Sequence, residues 1–69
     1  MVQVFKTNVQ QPDQAKMIVG MLQEYFPASD INFDLEDCDK ILRVKHEEVL
    51  STEVPPLLTK RGFVCEELQ

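Results

Sequence analysis

No run of apolar residues in the chain approaches the ~20 that a membrane-crossing helix requires, so no membrane span is expected. Positive charge is scarce. Seven Lys and Arg stand against twelve Asp and Glu, for a formal net charge of −5. Nucleic acids and anionic membrane surfaces both call for a basic face, so neither is expected as a partner. The opening stretch Met1-Val2-Gln3-Val4-Phe5-Lys6 has no basic segment followed by an apolar one. No secretory leader is expected there, and the expected location is cytoplasmic. Only two cysteines occur, Cys38 and Cys65, far apart and in different elements. In a reducing compartment they read as free thiols, and they form no C-x-x-C pair. Also lacking are a Ser/His/Asp set, a glycine-rich phosphate loop and a calcium loop with its turn glycine, so a catalytic role has little support and no cofactor is expected.

What remains is enough for one small domain spanning residues 1–69. The composition, 43% hydrophobic and 28% charged, is that of a folded protein rather than a disordered one. A chain of this size buries only about 60% of the surface it exposes when unfolded, so modest stability is expected unless it associates.

The hydrophobic pattern changes period along the chain. Val2 to Asn8 alternates, with Phe5, Thr7 and Val9 on one side and Val2, Val4 and Lys6 on the other, which predicts a strand. Pro12 suits a first helical turn, and Asp13 suits its positive end. Ala15, Ile18, Val19, Leu22, Tyr25 and Phe26 then recur at helical spacing up to Pro27, with Met17 and Met21 at the edge of the stripe. Gly20 in that helix predicts a close approach to a neighbour. Ser29 to Leu35 and Lys40 to His46 alternate again around the polar turn Glu36-Asp37-Cys38-Asp39, which predicts a hairpin. A short second helix is predicted over 53–61, capped by Ser51 or Thr52, with Pro55 and Pro56 near its start and Gly62 at its end. Leu57 and Leu58 would bury it. Phe63 to Leu68 predicts the fourth strand. This order is that of an α+β, ferredoxin-like βαββαβ sandwich. It has a four-stranded antiparallel sheet in the order 4-1-3-2 and two helices on one face.

Within that order, several segments resemble the heavy-metal-associated (HMA) domains of small copper chaperones and metal-transporting ATPases. Phe5-Lys6-Thr7-Asn8-Val9-x-Gln11-x-x-Gln14 is similar to their opening strand, loop and helix start. Asp39-Lys40-Ile41-Leu42-Arg43-Val44 resembles their third strand, and Gly62-Phe63-Val64-Cys65-Glu66-Glu67-Leu68 their ending. The family signature in the first loop is M-x-C-x-x-C. Here Val9 stands at the methionine, and Gln11 and Gln14 at the two cysteines. A neutral amide oxygen is a poor ligand for the soft ions this family carries. The resemblance therefore implies the fold, with a degenerate site that no longer transfers metal.

Other ligand candidates are isolated. His46 stands alone at the end of its strand, and Cys65, Glu66 and Glu67 alternate between faces. Asp30, Asp34, Glu36, Asp37 and Asp39 read as a solvated acidic hairpin. The expected function is a non-catalytic protein-interaction module. The alternative is a residual or atypical heavy-metal binder using Cys65, Cys38 or His46. Alternation turns Val2, Val4, Ile41 and Val64 to the sheet face away from the helices, a candidate surface for a protein partner or a weak homodimer.

Overall fold

The computed structural model describes residues 1–68, and all structural statements here concern those residues. The elements run β1 (Val2–Thr7), α1 (Pro12–Tyr25), β2 (Asp30–Asp34), β3 (Ile41–Lys45), α2 (Val54–Lys60) and β4 (Cys65–Leu68). The four strands form one sheet in the order β2-β3-β1-β4, which reads 4-1-3-2 from the opposite edge. Every neighbouring pair is antiparallel.

Period two sorts the strands as expected. Phe5, Leu42, Val44 and Ile31 are buried, and they share a single core with Ala15, Ile18 and Leu22 of α1 and Val54 and Leu58 of α2. Both helices thus pack on the same sheet face. Val9 and Leu50 complete this core from the connecting loops. Leu50 and Val54 lie where Pro55 and Pro56 break up the hydrophobic period, so periodicity alone does not mark them as core residues.

The element ends differ from expectation for local reasons. Lys40 belongs to the β2–β3 turn rather than to β3. Its φ of 49° is left-handed, its N–H donates to the Asp37 carbonyl at 3.0 Å, and its ammonium donates to the Leu35 carbonyl at 2.9 Å. Phe63 and Val64 precede β4, because the Val64 N–H is taken by the Asn8 side-chain oxygen at 2.8 Å. Neither Ser51 nor Thr52 caps α2. The residue at its N-terminal boundary is Glu53, already helical at φ −101° and ψ −34° and making no side-chain cap. The chain turns instead on the Leu50 carbonyl, which accepts the N–H groups of both Glu53 and Val54 at 3.0 Å.

Gly62 does end α2. At φ +86° it lets its N–H reach the Thr59 carbonyl and the Phe63 N–H reach the Leu58 carbonyl, the paired bonds of a Schellman motif. Gly20 does not serve close packing: a Cβ placed there would meet nothing within 4 Å. On α1 the apolar stripe passes from Leu22 to the half-buried Phe26. Tyr25 is exposed, Met21 packs at the core edge and Met17 lies in solvent.

Candidate functional site

The loop between β1 and α1 is where the HMA resemblance would place metal chemistry. Thr7 ends β1 buried, with its hydroxyl donating to the Lys40 carbonyl at 2.6 Å and accepting the Val9 N–H at 3.3 Å. That turn drives Val9 into the core, where it is fully buried. Gln11 then takes the helix-boundary position at φ −103° and ψ 137°, exposed and without a side-chain cap bond. Gln14 is half-buried one turn on. The three signature positions therefore offer an alkyl group and two neutral amides, which do not fit a soft metal ion.

The remaining ligand candidates do not converge on one point. His46 follows β3, whereas Cys38 and Asp39 precede it. A strand rising about 3.4 Å per residue separates Lys40 from His46 by about 20 Å. The His46 ring accepts the Glu48 N–H on Nδ1 at 3.0 Å and meets Phe26 edge-on at 6.3 Å between ring centroids. It also borders an open cleft of about 380 Å³ with Met1, Pro27, Ser29, Asp30 and Lys45.

At the other end of β3, the ligand atoms of Asp37, Cys38 and Asp39 lie within 4.8 Å of one another. Both carboxylates already have work in the fold. Asp37 accepts the Asp39 N–H at 2.9 Å, and Asp39 faces the Lys6 ammonium at 3.8 Å. Cys65 lies opposite Thr7 and packs against the core, and burial pushes its thiol up to about 12. A thiol held protonated is a poor nucleophile and a poor metal ligand.

The outer sheet face is open. Val2 and Val64 are each 57% exposed and Leu68 is 40% exposed, while Val4 is half-buried. Register decides which of them touch. Val4 is opposite Arg43 on β3 and Leu68 on β4, and Lys6 is opposite Ile41 and Glu66. Val4 and Val64 share that face without being adjacent, since Val64 lies two residues before Glu66 in the chain and outside the ladder. Leu68 holds the place beside Val4, and the same alternation that turned Val64 outward could have found it. Ile41 is only 6% exposed although it lies outside the core cluster, so it contributes little accessible surface. Comparison with family models, with curated proteins and with solved structures gave no match for this chain.

Proposed function

We propose that the protein is a non-catalytic interaction module. On this reading its scaffold is the ferredoxin-like one of HMA domains, its metal loop has lost the ligands, and its outer sheet face meets another protein. The element order, the antiparallel sheet and the placement of both helices in one core support the scaffold part of this reading. The observation that carries the functional part is the uncovered β1–β4 surface, where Val2, Val4 and Leu68 sit beside charged groups of both signs. An apolar centre with a charged rim is the anatomy of a protein contact. Weighing against the metal-binding alternative are the raised Cys65 thiol, the engaged Nδ1 of His46, and the separation of His46 from Cys38 along β3.

Two measurements test the proposal. A photo-cross-linking residue replacing Val2 should give discrete adducts in cells, and one replacing Glu24 on the exposed side of α1 should not. Equal yields from both positions, or none from either, would sink the reading. Native mass spectrometry during copper(I) and zinc titration should show no tight one-to-one complex. A stoichiometric complex abolished by Cys38→Ser would favour the metal binder instead.

A further inference from the structure

The following inference rests on the interaction-module reading and names the occupant of the face. We propose that the outer surface of β1 and β4 binds a second copy of this chain, face to face, about a two-fold axis parallel to the strands and running between them.

Charge selects the partner. The outward strand positions carry Lys6, Arg43 and Lys45 against Asp30, Asp34 and Glu66, so this face is neutral in a chain of net charge −5. A basic partner would be drawn to the acidic remainder of the surface, and an acidic partner gains nothing here. A face with equal numbers of both signs is the part of an acidic molecule that meets its own copy with the least repulsion.

The exposed apolar row selects the half of the face. Across β2 and β3 the accessible outward positions are charged or polar, with Arg43 3.7 Å from Asp34 and Asp30 opposite Lys45. Across β1 and β4 an apolar row, Val4 opposite Leu68, stands beside a charged one, Lys6 opposite Glu66, with Lys6 also 3.8 Å from Asp39. A two-fold along the strands exchanges β1 with β4 while preserving level. It sets Val4 against Leu68 of the other copy and Lys6 against Glu66 of the other copy, and each contact occurs twice, as an isologous interface requires.

The free sheet edges exclude the competing geometry. If β4 paired with its own copy, the centred registers would put Glu66 or Glu67 opposite itself. If β2 did so, Asp30 would face Asp34. Like charges directly opposite destabilise a strand pair and guard an edge. A patch two strands wide falls well short of the ~800 Å² per partner of a stable complex, so the dimer is weak and forms in the upper micromolar range.

Analytical ultracentrifugation from about ten to several hundred micromolar tests this. Wild type should shift from monomer to dimer with concentration. Lys6→Glu and Glu66→Lys should each weaken the dimer about tenfold or more, and the two together should restore it. If either charge variant fails to fold by circular dichroism, Val4→Lys replaces it, because Val4 meets Leu68 of the other copy, and it too should weaken association. A wild type that stays monomeric throughout overturns the dimer, as does a dimer indifferent to these changes or a double exchange no better than the single ones. The mass of the Val2 photo-adduct keeps the two readings apart. An adduct of foreign mass with a monomeric wild type removes the dimer and leaves the interaction module standing.

Discussion

The side chain of Gln3 holds two backbone groups of the β3–α2 connection at once. Its Nε2 donates to the Glu48 carbonyl at 3.1 Å, and its Oε1 accepts the Leu50 N–H at 2.8 Å. Gln3 shares its sheet face with Phe5, and in a half-buried strand that parity is the one signal for its burial. Gln3→Ala removes a donor and an acceptor together and leaves the buried Leu50 N–H without a partner. The expected loss is about 1–3 kcal/mol in urea denaturation. A variant as stable as wild type would show that water replaces the amide. Cys65 provides a second test at this scale. Its thiol is raised from about 9 to about 12 by burial, so the folded state favours the protonated form. Between those values the unfolded chain loses the proton first. This contribution to stability is therefore complete below about pH 9 and declines as pH rises toward 12. Iodoacetamide near pH 8 should modify the exposed Cys38 and spare Cys65, so intact-mass analysis should find one adduct in the folded protein and two in urea.

The two glycines receive the same test with opposite results expected. Gly20 sits within α1 with open space where a Cβ would go. Gly20→Ala should stabilise the protein by about 0.5–1 kcal/mol through helix propensity and a less flexible unfolded chain. Gly62 holds φ +86° in the Schellman turn, and Gly62→Ala should destabilise by roughly 1 kcal/mol because a Cβ strains that conformation. Thermal melts of the pair would reveal a misassigned helix end if the signs matched. Leu22→Ala tests the buried side of α1. Leu22 is fully buried in the shared core, and its truncation should cost about 2–5 kcal/mol, seen as a lower urea midpoint. The interior of α1 was legible because Ala15, Ile18 and Leu22 repeat at helical spacing. Its Tyr25 was not, since a residue one position from the stripe's continuation at Phe26 fits the same period. The start of α2 was harder still. Pro55-Pro56 obscures the period, and the turn there hangs on the Leu50 carbonyl and on Gln3, forty-seven positions away in the chain.

At the scale of the molecule, strand order followed from alternation and crossover handedness, whereas surface adjacency depended on register. A shift by an even number of residues keeps each side chain on its face but changes its neighbour, and a difference of four is why Leu68 and not Val64 stands beside Val4. The loop between β1 and α1 was legible as residue types, and its shape depends on contacts from three separate segments. Thr7 binds Lys40, Asn8 binds Val64, and Val9 enters the core. These contacts hold Gln11 at the boundary of α1 and Gln14 within its first turn. That placement makes the HMA resemblance testable on the whole fold. Gln11→Cys with Gln14→Cys would set two thiols near the positive end of a fourteen-residue helix, where thiol pKa values fall and thiolates are stabilised. Neither side chain makes a hydrogen bond that the loop depends on, so the double variant should fold. Copper(I) should then bind one per chain, measured by competition with a chromogenic chelator, while wild type binds none at this loop. The single variants should bind far more weakly, because one thiolate leaves the ion half-coordinated. A folded double variant with no more copper than wild type would mean that Gln11 and Gln14 do not converge as the family's two cysteines do. The likeness would then extend to the order of elements and no further.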